Sequence, residues 1–412
     1  MNVNSYYLSI NELSKLIREQ QVSPVEIVNS CLERINTLNP RLNAFITVLG
    51  DQAREQAKLA EVEIKSGKWR GPLHGIPVGI KDFYDTAGIR TTAAFKYFKD
   101  RIPAKDAVAV TKLKDAGAII IGKMNMHQLG MGTTGLVSHY GPAKNPWNSD
   151  YIPGGSSSGS AVAVSSGMCF ATLDTDAVGS CRLPASVCGV TGFKGTYGLL
   201  NGEGILAGEK ADEMILWLSH PAITTRNIED TALVLNVLAE RNENTKNVDF
   251  FDGLAVNTEL RIGVAENVKA GQEVLATFEK AVEAIRALGH NTINTLAPFG
   301  DPSKGIKNIE ADRKSIAEQS FKNIDVLLLP TCTTTVPLIK NAKSNEQTLS
   351  PENTAFANYY GLPAVSIPCG FDAKGLPLGL QIVGKPWDEI TVLRLAYQYQ
   401  MTNEYGKRHP IA

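Results

Sequence analysis

A surplus of charge of either sign is missing from this chain: 41 Lys and Arg stand against 42 Asp and Glu, for a net charge of −1. A balance this close, with no basic run, offers no electrostatic footprint for nucleic acid or an anionic membrane. Cysteine pairing motifs are missing too. The six cysteines (Cys31, Cys169, Cys181, Cys188, Cys332 and Cys369) form no C-x-x-C pair and no Cys/His spacing suited to zinc. Cysteines scattered through a long chain fit a reducing cytosol. No apolar run approaches the roughly 20 residues that span a bilayer. The opening "MNVNSYYLSINELSKL" has neither the basic n-region nor the apolar h-region of a secretory signal. Polar breaks near 241–258, 297–308 and 341–353 are too short and too varied to be interdomain linkers. These absences together predict a cytoplasmic protein with no membrane partner and no direct nucleic-acid partner.

The 412 residues are 43% hydrophobic and 20% charged, enough to bury a large core without disulfides. Ser9 with Glu12, and Ser23-Pro24-Val25-Glu26, are capping-box patterns that predict two N-terminal helices. The second helix puts Ile27, Val28, Cys31, Leu32 and Ile35 on one face. From about residue 76 the pattern alternates: "IPVGI" reads as a strand, "AVAVTKLKDAG" as a helix and "AIIIGK" as the next strand. "LRIGVA", "TFEKAVEAIRALG", "DVLLLPT" and "LGLQIVG" continue as strand, helix, strand, strand. Short apolar runs between helices predict an α/β protein with a buried sheet, folded as one large domain over 1–412.

One stretch has no place in a packed core: "GGSSSGS" at 154–160. A phosphate-binding P-loop would need a lysine after its last glycine, but Gly159 is followed by Ser160 and "AVAV". Gly155-Ser156-Ser157-Ser158-Gly159 matches the letters of a nucleophile elbow, yet that motif works only directly after a strand. The preceding "NPWNSDYIP", with two prolines, does not read as one.

A third reading comes from the surroundings. "GPLHGIPVGIKDFYDTAG", "GPAKNPWNSDYIPGGSSSGSAVAVSSG", "DTDAVGSCRLPASVCGVTGFKGTYG", "NYYGLPAVSIPCGF" and "GLPLGLQIVGKPWDE" resemble the amidase signature family, from about residue 10 to 400 with a core at about 70–200. The resemblance implies an α/β fold with a mixed central β-sheet flanked by helices. It also implies a catalytic set of one lysine and two serines, with no cofactor and no metal. Matched motif to motif, Lys81 takes the base's place. Ser156 takes that of a bridging serine, which in the family follows a cis peptide bond, and Ser180 that of the nucleophile. Ala177, Val178, Gly179 and Ser180 are implied as backbone oxyanion donors, with Gly155, Ser157, Asp176 and Arg182 in support.

The chemistry suits these residue types. Acyl transfer from an amide needs a nucleophile, a base and donors for the tetrahedral oxyanion. Lysine serves as a base only when neutral, and burial lowers its pKa by disfavouring the charged form. Lys81 ends the apolar run "IPVGI", as a lysine buried from a strand would. Asp82 follows it, but successive strand residues face opposite ways, so Asp82 is not expected to be its counter-ion.

Two departures from the family pattern stand out. Family members usually read D-T-G-G-S where this chain has Asp176-Ala177-Val178-Gly179-Ser180, and a β-branched valine suits a positive φ poorly. The stretch between Leu296 and Ile309 is shorter than the family's usual helical segment, which predicts a more open substrate cavity. The expected activity is hydrolysis of a carbon–nitrogen amide bond of a small molecule through an acyl-enzyme. The alternatives are the amidase subunit of a glutamyl-tRNA amidotransferase and a non-catalytic binding member of the family. The acyl group, the leaving amine and the assembly state stay open, a homodimer among the assemblies.

Overall fold

The two N-terminal helices begin where the serine and glutamate pairs place them. Ser9 N–H donates to Glu12 at 2.8 Å while Glu12 N–H donates to Ser9 Oγ at 3.1 Å, starting the helix Ile10–Arg18. The same reciprocal bonds at Ser23 and Glu26 start Pro24–Leu42, with proline in its first turn. Ile27, Val28, Cys31, Leu32 and Ile35 are all buried on its inner face.

The computed structural model describes residues 5–256, 258–300, 305–342 and 348–410. Its frame is one sheet built from β1 (Phe45–Val48), β2 (Pro77–Lys81), β3 (Ile119–Met124), β4 (Ala171–Asp176), β5 (Thr191–Lys194), β6 (His220–Thr225), β7 (Arg261–Ala265), β8 (Asn291–Thr295), β9 (Val326–Pro330), β10 (Ala364–Phe371) and β11 (Pro377–Gly384). The order across the sheet is β1-β3-β2-β4-β6-β5-β10-β11-β9-β7-β8. The sheet is mixed. β2 runs parallel to β3 and β4, and β7 to β8 and β9, while the other neighbours are antiparallel. Every residue of β2, β3, β4, β9 and β11 is buried, as expected for strands covered on both faces. No helix among the described residues is long and apolar enough to cross a membrane.

This order carries the chemistry-bearing residues to one place. Lys81 is the last residue of β2, and its parallel neighbour β4 ends at Asp176, so both strands deliver their C-terminal ends to the same edge. Helices Ser158–Ser165 and Arg182–Cys188 start beside that edge, each just after a serine-bearing turn. Ligands of open α/β sheets gather at the carboxyl ends of parallel strands. The helix Ile309–Ser320 follows the short stretch after Leu296 and leads to β9. Residues 301–304 of that stretch lie outside the described residues.

Candidate active site

Lys81 has no solvent contact, and its Nζ donates to three hydroxyls: Ser156 Oγ at 2.8 Å, Ser157 Oγ at 2.9 Å and Thr175 Oγ1 at 2.8 Å. Those three bonds use all the protons of an ammonium group. No carboxylate among the described residues is bonded to it. Burial therefore dominates and lowers its pKa to about 8, against smaller opposing pulls from Asp174, Cys181 and Asp176. Asp82 turns away: it accepts from Thr92 and lies 3.8 Å from the buried Lys123.

The two serine motifs meet through the backbone. Ser157 N–H donates to the Ser180 carbonyl at 3.0 Å. The Ser157 hydroxyl is engaged with the Thr175 carbonyl at 3.3 Å, whereas among the described residues the Ser156 hydroxyl holds only Lys81. The Gly155–Ser156 peptide bond is cis. A Cβ on Gly155 would come within 2.9 Å of the Gly135 nitrogen and 3.0 Å of the Gly132 carbonyl oxygen, so the turn has room for glycine alone. The Ser180 side chain is almost fully buried, and its hydroxyl makes no hydrogen bond among the described residues.

Arg182 is no surface ion-pair residue. It is completely buried and grips Asp176 at 3.0 Å through Nε and at 2.9 Å through Nη2, then reaches Gln381 at 2.6 Å, Asn358 at 2.6 Å and the Thr354 carbonyl at 3.1 Å. The Asp176 carboxylate also accepts the backbone N–H groups of Gly179 (2.8 Å), Cys181 (3.2 Å) and Arg182 (3.3 Å). These partners, the Arg182 charge foremost, overcome the cost of burial and hold its pKa well below the usual carboxylate range.

The loop corrects one expectation and resolves another. Gly179, counted among the oxyanion donors from the family pattern, gives its N–H to Asp176 and has none left for a ligand. Ala177, Val178 and Ser180 keep unengaged N–H groups among the described residues. The positive φ of the loop falls on Gly179 (+128°), where a Cβ would come within 2.4 Å of Thr354 Oγ1. Val178 has no positive φ and is half-buried, so the valine does not need the backbone shape that glycine supplies.

Several neighbours were given no role from the sequence. Thr175, Asn358 and Gln381 lie inside stretches that carry the family resemblance but were not singled out there, and Thr354, Asn358 and Gln381 come from more than 170 residues downstream of Arg182. His127 N–H donates to the Ser156 carbonyl at 2.9 Å, and burial keeps its ring neutral with a pKa of about 4. All six cysteines are free and buried. Among the described residues no group of three or more His, Cys, Asp or Glu is placed to hold a metal ion.

The family model described as Amidase matches residues 26–299 and 303–393. This chain belongs to the amidase family. With that membership comes the reaction class read from the sequence, hydrolysis of carbon–nitrogen bonds. One glutamyl-tRNA(Gln) amidotransferase subunit, from Carboxydothermus hydrogenoformans, is 29% identical over 491 aligned positions, covering 98% of this chain and 99% of the relative. Since this chain has 412 residues, the relative carries segments that it lacks. The solved structure of 6-aminohexanoate cyclic dimer hydrolase complexed with substrate superposes with a TM-score of 0.87 at 24% identity, covering 98% of this chain and 99% of that one. That of a glutamyl-tRNA(Gln) amidotransferase subunit from Thermotoga maritima has a TM-score of 0.82 at 28% identity, with 99% and 98% covered. The amidase-family match is interrupted at 300–302, inside the stretch that the sequence reads as short.

Proposed function

We propose that this amidase-family protein is a cytoplasmic serine amidohydrolase that cleaves a small-molecule amide through an acyl-enzyme, with Lys81 as base, Ser156 as proton relay and Ser180 as nucleophile. The observation that carries the reading is a fully buried lysine bonded to three hydroxyls and, among the described residues, to no carboxylate. A lysine placed for structural charge pairing would have an acid at its tip. This one has a pKa of about 8, so about one molecule in ten is neutral at pH 7. The six free cysteines support a reducing compartment.

In the neutral state the Lys81 lone pair accepts the Ser156 proton while Ser156 accepts that of Ser180. Ser180 Oγ then bonds to the amide carbon, and the carbonyl oxygen becomes an oxyanion facing the N–H groups of Ala177, Val178 and Ser180. On collapse the carbon–nitrogen bond breaks, and the proton held on Lys81 passes back through Ser156 to the leaving amine. Water, deprotonated along the same route, releases the acid and restores Ser180. General-base work of this kind contributes about 10²–10⁴-fold.

A fluorophosphonate probe tests this directly: the adduct should map to the peptide containing Ser180, and Ser180→Ala should abolish it while the protein stays folded. An adduct on Ser157 would restore the elbow reading. A folded wild-type protein that takes no label would favour a binding role.

A second reading has its own observation. The 29% identical relative and the 28% identical structure are both subunits of glutamyl-tRNA(Gln) amidotransferase, matched over nearly their whole length. In that reading glutamine is the amide and ammonia passes to a partner protein. Glutaminase activity, with co-purification of a tRNA-binding partner, would select it over a free-standing amidase.

A further inference from the structure

The oxyanion loop is gripped from outside by the short helix Ala355–Tyr359. Asn358, fully buried, donates from Nδ2 to the Asp176 carbonyl at 2.7 Å and to its carboxylate at 3.0 Å, and accepts from Arg182 Nη2 at 2.6 Å. The carbonyl contact matters most. The 176–177 peptide is trans, so its C=O and N–H point in opposite directions. Holding the Asp176 oxygen toward Asn358 therefore directs the Ala177 N–H the other way, and that N–H is one of the three the loop leaves unengaged. We propose that Asn358 is a positioning residue that aims the Ala177 N–H at the oxyanion. This inference rests on the hydrolase reading above.

Asn358 is itself fixed. Arg313, from the helix Ile309–Ser320, donates to the Asn358 carbonyl at 3.1 Å, to the Tyr359 carbonyl at 2.8 Å and to the Trp217 carbonyl at 2.7 Å. Its guanidinium is stacked 4.1 Å from the centre of the Tyr197 ring. Thr354 Oγ1 donates to the Val178 carbonyl at 2.5 Å, so both ends of the 178–179 peptide are occupied, one by Thr354 and one by Asp176. Thr354 therefore shapes the loop, while Asn358 holds the carbonyl side of a peptide whose N–H is still available.

The test is the rate of fluorophosphonate labelling at Ser180, with wild type as reference. Losing one oxyanion donor costs about 10²–10³-fold, and a misaimed one should cost at least about tenfold. Asn358→Ala should lower the maximal labelling rate by that amount, with the probe's half-saturating concentration and the pH midpoint near 8 unchanged. Ala177→Pro deletes the N–H itself and should cost as much or more. The double variant should lose no more than Ala177→Pro alone, because both changes act through one donor. Losses that multiply, or a folded Asn358→Ala that labels at the wild-type rate, overturn the inference. Should Asn358→Ala not fold, Asn358→Asp takes its place, since it keeps an oxygen for Arg182 and offers no N–H to Asp176. A wild type that takes no label removes the hydrolase reading, and this inference with it.

Discussion

Lys81 and Lys123 stand on the adjacent parallel strands β2 and β3, both without solvent contact, and point to opposite faces of the sheet. Lys123 is in register with Ile80, one residue before Lys81. Burial lowers both to a pKa of about 8. Their partners differ: Lys81 meets three hydroxyls, while Lys123 meets the Tyr84 carbonyl, Thr86, Thr91 and, at 3.8 Å, Asp82.

The pair therefore separates under mutation. Lys81→Ala should cost at least about 10²–10⁴-fold in turnover, the range of a lost general base. Lys123→Met should leave turnover of the folded enzyme within severalfold and show its effect in stability instead, because it leaves Asp82 buried without its cation. Steady-state rates alongside thermal melts check both. A Lys81→Ala enzyme with near-normal turnover would remove the lysine from the chemistry.

With Lys81 as the proposed base, activity should rise with pH through a single ionisation near 8 and level off above it, because a base must be neutral to accept a proton. The sign follows from burial, which favours loss of the proton. The acylation rate measured from pH 6 to 10 checks this. A rate that falls through pH 8 would mean that the protonated lysine is the active form.

Val178→Gly should change which acyl groups are accepted without raising turnover generally. The valine has no positive φ, is half-buried and lies two residues before Ser180, so removing its side chain is expected to open space near Ser180 and to relieve no strain. A panel of small, aryl and branched amides is the measurement. A uniform gain of more than about tenfold, or roughly 1.4 kcal/mol, would show instead that the valine distorts the loop.

Asp176→Asn should destabilise the fold by about 3–5 kcal/mol, the usual cost of leaving one buried charge of a pair without its partner. Asp176 has a folded pKa below its unfolded one, so its contribution is complete above the ordinary carboxylate pKa and fades as pH falls below it. Denaturant melts between pH 7 and pH 2 should therefore show the gap between wild type and variant narrowing only at the acid end. A gap independent of pH would mean that the ionised carboxylate is not the stabilising group.

Local signals made the elements legible. The Ser9/Glu12 and Ser23/Glu26 caps start their helices, and "IPVGI", "AIIIGK", "DVLLLPT" and "LGLQIVG" are strands because a sheet covered on both faces needs short continuous apolar runs. β4 escaped the same reading: "ATLDTD" spends its side chains on a buried polar network in which Thr172 and Thr224 both bond Asp174 at 2.7 Å. The family motifs brought Lys81, Ser156 and Ser180 into view. They could not reveal that Gly179 gives its N–H to Asp176, since a backbone group's partner is a matter of dihedral angles and leaves no mark in the residue type. Asn358 and Gln381 stood inside resembling stretches without a readable role, because their relation to Arg182 arises only after the sheet has joined distant segments.

Every group proposed to touch the reacting atoms lies between residues 81 and 180, yet the loop proposed to receive the oxyanion is braced by Thr354 and Asn358 directly and by Gln381 through Arg182. Gln381 lies on β11, which joins the first half of the sheet only through β10. A chain emerging from the ribosome would thus present its serines and its lysine long before that bracing is complete. The brace through Gln381 is completed only with β11, the last strand in chain order among the described residues, so a chain cut short before it would carry Lys81, Ser156 and Ser180 without the contact that holds Arg182 from that side.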